Sequence, residues 1–293
     1  MDLNEYQRTA LESDQVPGKY RDDLIAKVVP LLGLAGEAGE LLSEYKKHLR
    51  DGAAHRLFKE RIADELGDTL WYLANLASKF DLELNDVAER NIAKVRERFA
   101  PKSAGGSYCF DRDFPDGESI PREFEIEIRK IDDDIIRCFL DGEQVGNDLT
   151  DNAHNPDGYR FHDVFHFAYA AVLGWSPVTR KILGRKRKSQ VKVDEVEDGG
   201  RATAIEEGIS ALVFSYAENH NFFDNVTEID YELLKNIRFL TKGLEVTACA
   251  IGDWEKAILI GYKVWRQLND AGTGRIIADL DKQTLGFEPI SKT

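Results

Sequence analysis

The sequence has little that would staple the chain, anchor it in lipid or steer it toward polyanions. Its three cysteines, Cys109, Cys138 and Cys249, are odd in number and far apart. No CxxC pair occurs, which argues against a disulfide framework and a zinc knuckle. A reducing cytoplasm is the simplest setting. A long apolar run is also missing. The longest mainly apolar stretch, Leu24 to Gly36, is broken by Lys27 and Pro30 and is too short to span a bilayer. The acidic, polar opening MDLNEYQRTALESDQ carries no signal-peptide pattern. Basic residues are in deficit, 39 Lys+Arg against 53 Asp+Glu, for a formal net charge of −14. A nucleic-acid partner is therefore not expected, because phosphate neutralisation needs a basic surface. No repeat of 20 to 50 residues stands out.

What is present is a globular chain of 293 residues with 42% hydrophobic content. That length accommodates one large domain or two modest ones. Three parts are expected: a helical module over 1–105, a β-meander linker region over 106–150 and a helical C-terminal domain over 151–293. In the first part, Asn4 to Glu12 is a short amphipathic segment. After Pro30, Leu34, Leu41, Leu42, Tyr45 and Leu49 recur at helical spacing up to Gly52. Phe58 to Phe80 and Asn85 to Phe99 complete four helices joined by short loops, the pattern of an antiparallel bundle. KSAGGS then reads as a flexible joint. Phe124, Ile126 and Ile128 alternate with charged residues, IIRCFL reads as a second strand, and Asp141-Gly142 signals a hairpin. Helices are expected again over 160–174, 201–218, 230–249 and 254–270. The fold class is mainly α.

Four carboxylates in the first part carry the chemistry. Glu37 and Glu40 lie three residues apart on one expected helix, Glu65 and Asp68 three apart on the next. Residues at i and i+3 share a face, so two facing helices can bring all four together. Four acids at close range do not all stay ionised without cations. Mg²⁺ fits, since it takes hard oxygen ligands and keeps positions for water and substrate phosphates. Small residues flank the acids: Gly33, Gly36 and Gly39 on one side, Ala63 and Gly67 on the other. Each glycine costs a helix roughly 1 kcal/mol relative to alanine, so the run calls for a reason such as close helix approach or room for a ligand. By spacing alone, a solvated acidic helix face remains an equal reading.

GLAGEAGELLSEYKK, followed by RIADELGDTLWYL and NIAKVRERF, resembles the MazG family of all-α nucleoside triphosphate pyrophosphohydrolases. The family pattern of Glu-x-x-Glu and then Glu-x-x-Asp is matched by Glu37, Glu40, Glu65 and Asp68. A double acid that often opens the first block is absent, because Gly36 precedes Glu37. The resemblance spans about residues 25 to 100. It implies Mg²⁺, with Mn²⁺ as a substitute, bound by the four acids. It implies cleavage of an NTP or dNTP to monophosphate and pyrophosphate, in the service of nucleotide-pool control. Glu37 or Glu40 would orient or deprotonate the attacking water, and Lys94 and Arg98 would hold the outgoing phosphates. Arg61 and Lys47 are further candidates for substrate binding, although Lys47 is also placed to pair with Glu44 along its own helix. Trp71 and Tyr72 could stack a base but are better read as core. The family closes this face with another copy of the module, so a homo-oligomer, a dimer or larger, is expected. A non-catalytic nucleotide sensor is the alternative function.

The C-terminal part is less legible. His162 and His166 stand at i, i+4, and Glu206-Glu207 lie on another expected helix. Such a set can hold a transition metal, but there is no HExxH motif, and histidines bonded structurally to an acid across a helix pair are favoured. Tyr159 to Ala217 resembles the uncharacterised C-terminal domain found on some MazG proteins. The run Arg185-Lys186-Arg187-Lys188 precedes an acidic run, so internal pairing in a solvated loop is favoured over a phosphate or RNA clamp.

Overall fold

The structure, a computed structural model, describes residues 1–15, 24–99 and 107–290, with the side chains of 97–99 left aside. The KSAGGS joint, apart from its last serine, lies outside the described residues. The chain divides into two compact units, Met1–Arg96 and Glu97–Thr293. Each is described by itself. Among the described residues no helix is long and apolar enough to cross a membrane.

The first unit contains α1 (Leu3–Glu12), α2 (Leu24–Asp51) and α3 (Phe58–Lys79), with α4 (Leu84–Phe99) continuing past its edge. Helix α2 begins before Pro30 and runs through it, where the sequence pattern placed the start after it. Pro30 and Ala26 are both buried, and packing of that face outweighs the amide donor that proline withholds. Helices α2 and α3 form an antiparallel hairpin. At its closed end Phe58 stacks on His48 with centroids 3.9 Å apart. At the other end Tyr72 lies against Gly33, where a Cβ would meet the ring at 2.2 Å. Helix α1 lies along α3, tied by Trp71 Nε1 donating to Ser13 Oγ at 2.8 Å and by the buried Lys79–Asp14 pair at 2.7 Å. Helix α4 is held at its first turn, where the Leu84 and Asn85 amides donate to Gln7 and Asn4.

The buried apolar core of this unit is small: Ala10, Ala74, Ala77 and Leu84, flanked by Leu3, Tyr6, Leu70 and Trp71. Large apolar side chains instead face outward along α2, such as Leu32, Leu42 and Leu49, each about 70% exposed. Val87, Ile92 and Val95 of α4 do likewise.

The second unit is built on a five-stranded antiparallel sheet in the order β3-β2-β1-β4-β5. The strands are β1 (Glu123–Lys130), β2 (Ile136–Leu140), β3 (Glu143–Leu149), β4 (Gly274–Asp279) and β5 (Thr284–Pro289). The alternation in the sequence holds: Phe124, Ile126 and Ile128 point into the core while Glu123 and Glu125 face out. Asp141 and Gly142 both have positive φ, as a two-residue hairpin of primed type requires. The meander is not a linker region. Strand β1 pairs with β4 from the far end of the chain, register Ile126↔Ile276, so 123–149 belong to the second unit. The expected all-helical C-terminal domain is likewise corrected to a mixed α and β unit.

Its helices are α5 (Asp163–Leu173), α6 (Pro177–Ile182), α7 (Val191–Val196), α8 (Gly200–Glu218), α9 (Tyr231–Leu240) and α10 (Ile251–Ala271). Helix α9 stops at Leu240, short of the expected residue 249. Helix α5 is buried at every position, as a helix apolar on all sides must be. It crosses α10 at Gly261, where a Cβ would stand 3.1 Å from that of Ala168. Trp175, Trp265, Phe165, Phe167, Tyr169 and Tyr262 fill one continuous core.

Candidate functional site

The acid pairs of the first unit fall on the two arms of the α2–α3 hairpin. The antiparallel pairing sets Glu37 of α2 opposite Glu65 and Asp68 of α3. One carboxylate oxygen from each of these three residues lies within 4.8 Å of the other two. Glu40, one turn further along α2, stands outside that group but near enough to act on it. Partial burial pushes the Glu65 carboxyl above its ordinary value, and the negative charges of Glu40, Glu37, Asp68 and Glu44 push it further. The surroundings of Glu65 are therefore acidic and short of positive charge.

The flanking glycines divide into two kinds. Gly33 is required by the close approach of Tyr72, so its reason is packing. At Gly36, Gly39 and Gly67 an added Cβ would meet nothing within 4 Å. The helix surface beside the acids is open there. An all-oxygen donor set on an open, low-relief surface fits a hard cation such as Mg²⁺, which shares its coordination with waters and phosphates.

The basic candidates are not drawn in. Lys47 pairs with the nearly buried Glu44, which also receives His55 Nε2 at 3.3 Å. That intrahelical pair is the alternative the sequence offered for Lys47, and its hydrogen bond lowers the Glu44 carboxyl. Arg61 and Lys94 are exposed. Among the described residues no ion pair joins either to the four acids, and the side chain of Arg98 lies outside the described residues. Trp71 and Tyr72 pack edge to face at 4.9 Å, and both serve the helix packing described above. Asn75 was missed from the sequence. It lies on α3 seven residues beyond Asp68, fully buried, with neither amide atom hydrogen-bonded. Its setting among Ala74, Leu76 and Ala77 gave no signal beyond a polar residue in an apolar run.

In the second unit the basic run is internally paired, as its acidic neighbour suggested, but it is not simply solvated. Arg187 is buried and clamps Asp198 and Glu245, each at 2.7 Å, and the Phe110 carbonyl. Burial works against its charge, yet these carboxylates raise its pKa further still. The His166 ring bonds Glu206 at 2.9 Å across α5 and α8.

The fold and the acid cluster together define a helical protein with a carboxylate centre suited to a divalent cation, joined in one chain to a mixed α and β unit. Residues 30–101 match the MazG nucleotide pyrophosphohydrolase domain and residues 106–291 match the MazG C-terminal domain. The chain belongs to the MazG family. It is similar to the Gene 37 protein of Mycobacterium phage L5, at 37% identity over 101 residues. That match covers 33% of this chain and 89% of the phage protein. No solved structure matches the chain.

Proposed function

We propose that the first unit hydrolyses nucleoside triphosphates between the α- and β-phosphates, releasing a monophosphate and pyrophosphate, and so acts on nucleotide pools. The observation that carries this reading is the convergence of Glu37, Glu65 and Asp68 within 4.8 Å on two helix arms, beside glycines that leave the surface open. Mg²⁺, or Mn²⁺ in its place, when held by these carboxylates neutralises the triphosphate and lowers the pKa of a coordinated water. Glu40, just outside the cluster, would orient an attacking water toward the α-phosphorus and accept its proton. Arg61, Lys94 and Arg98 are the cations available to hold the departing pyrophosphate. Most of the work is positioning and charge neutralisation, as phosphoryl transfer requires.

The unit works as a homo-oligomer, at least a dimer. A second copy of this chain would cover the apolar residues of α2 and α4 and complete a bundle around the acids. The exposed leucines far outweigh the four-residue core of the unit, an imbalance soluble monomers rarely tolerate. A purified-protein assay tests the activity. Pyrophosphate should appear from a panel of NTPs and dNTPs only with Mg²⁺ or Mn²⁺ present. Tight nucleotide binding with no pyrophosphate from any member of the panel would mean a sensor instead.

A further inference from the structure

We infer that the second unit carries its own transition-metal site, in which His162 Nε2, His166 Nε2 and a Glu207 carboxylate oxygen hold one Zn²⁺. The three ligand atoms lie within 4.8 Å of one another. Glu207 Oε2 is 3.4 Å from His166 Nε2 and 4.0 Å from His162 Nε2. The ligand-to-ligand edge of a tetrahedron about zinc is about 3.3 Å, given bonds near 2.0–2.1 Å. One edge is thus already set; the Glu207–His162 edge closes with a small movement of Glu207, and the edge between the two imidazole nitrogens, within 4.8 Å, closes by a small tilt of the rings.

The outer contacts of the histidines point the same way. His166 Nδ1 lies 2.9 Å from Glu206 Oε1. Glu206 is fully buried and is itself fixed by the Ser176 hydroxyl at 2.5 Å and the Val178 amide at 2.8 Å. A carboxylate can only accept, so Nδ1 carries a proton toward Glu206, and Nε2 is the ring nitrogen that faces Glu207 and His162. His162 repeats the device with a carbonyl: its Nδ1 lies 2.8 Å from the Tyr159 oxygen. Tyr159 also stacks on the His162 ring, with centroids 4.5 Å apart and planes 4° from parallel. Both rings are therefore held in the tautomer and orientation that a metal-ligating histidine takes, with a carboxylate or carbonyl fixing the far nitrogen.

A second, independent observation is that His166 Nε2 is completely buried and makes no well-aligned hydrogen bond, with Glu207 Oε2 standing 3.4 Å away. A buried nitrogen without a partner is costly, and a metal ion supplies one. Acidic charge is also in excess, for Asp163 Oδ1 lies 3.8 Å from His162 Nε2 in addition to the two glutamates. The Glu207 side chain, 43% exposed, gives the ion a way in. Imidazole nitrogens select zinc-like metals over the Mg²⁺ favoured by an all-carboxylate cluster. Three protein ligands leave one tetrahedral position for water, as in zinc sites that act on a bound group. The i, i+4 histidines were visible in the sequence, where structural bonding to an acid was favoured. The structure supplies both that bond and an unused nitrogen behind it.

The test uses the full chain purified without a histidine tag. Elemental analysis should find zinc near one per chain. After chelator treatment, Zn²⁺ titrated against a competing chromophoric chelator should bind at submicromolar concentration. Glu207→Gln and His162→Ala should each weaken binding at least about tenfold, with far-ultraviolet circular dichroism unchanged. Glu65→Ala, in the other unit, should bind Zn²⁺ like the parent. No binding tighter than about 10 μM in the parent protein overturns the site and leaves His166 as an imidazolium held between two glutamates. Retention of full affinity in either Glu207→Gln or His162→Ala overturns it as well. Glu207 is half exposed and its replacement is isosteric, so that variant reads binding rather than folding.

Discussion

The two units solve the problem of burying a core in opposite ways. The second encloses Trp175, Trp265, Phe165 and Phe167 beneath a sheet and two long helices. The first buries little more than three alanines and a leucine, and leaves the leucines of α2 outside. Their acids offer a second contrast. Asp111 of the second unit is partnered: the Ile120 amide donates to it at 2.8 Å and Arg180 at 2.7 Å. Glu65 of the first unit faces only other acids. The second unit confines its open groups to the cluster of His162, His166 and Glu207, while the first leaves both its acid cluster and its leucines uncovered. A ligand is taken up where groups are open, because satisfied ones have nothing left to offer it.

The sharpest break of that contrast is Glu65→Ala or Asp68→Ala. Pyrophosphate release should fall by about 10³-fold or more, since several kcal/mol of charge stabilisation are lost. Circular dichroism should not change. Normal turnover in both variants would sink the carboxylate centre. Glu40→Gln should act more mildly, lowering kcat by about 10²-fold with little change in KM, as loss of a general base does.

Next comes packing. Trp265→Ala removes a ring that touches Phe165, Phe214, Phe222 and Tyr262 and an indole that donates to the Gly158 carbonyl at 3.0 Å. It should cost the second unit about 3–5 kcal/mol in denaturant unfolding. Leu42→Ala in the first unit should cost the isolated chain under about 0.5 kcal/mol. The exposed face should respond to charge instead. Leu32→Glu should shift the protein toward monomer by light scattering at micromolar concentration. A parent protein that is already monomeric and fully active would remove the need for a covering copy.

The smallest effect concerns pH. Burial alone would raise the Asp111 carboxyl, but the Ile120 amide and Arg180 more than offset it and hold it below the usual value. An acid lowered on folding adds stability above its unfolded pKa, near 3.9, and that contribution is lost as pH falls through the folded value. The second unit should therefore weaken below about pH 4, by an amount that Asp111→Asn abolishes. Equal acid sensitivity in parent and variant would remove Asp111 from the account.

Local pattern carried much of this into the sequence. The helical spacing of Phe58 to Phe80, the alternation around Ile126 and the Asp141-Gly142 turn are each determined by neighbours, and they appear where expected. Of the four i, i+3 acids, Glu37, Glu65 and Asp68 come together, which needs only two adjacent helices, while Glu40 stands outside the group. What escaped depends on distant partners. Strands β4 and β5 are short: β4 is made a strand by its pairing with β1, and β5 by its pairing with β4. Pro30 inside α2 defied the local rule because tertiary packing overrode it. The unused nitrogen of His166 could not be read at all, since it follows from Glu206 taking the other one.

Strand order has a consequence for how the chain is made. Lys130 ends β1 long before Gly274 begins the strand beside it. At roughly 5–20 residues per second, translation leaves that edge of β1 waiting on the order of ten seconds. Phe124, Ile126 and Ile128 are synthesised early and covered late. The first unit is fully emerged during that interval, so the covering copy proposed for it could dock while the second unit is still unfinished. Assembly of the helical units on neighbouring ribosomes would then precede the folding of the sheet, and a nascent chain would be most in need of a chaperone between its two halves.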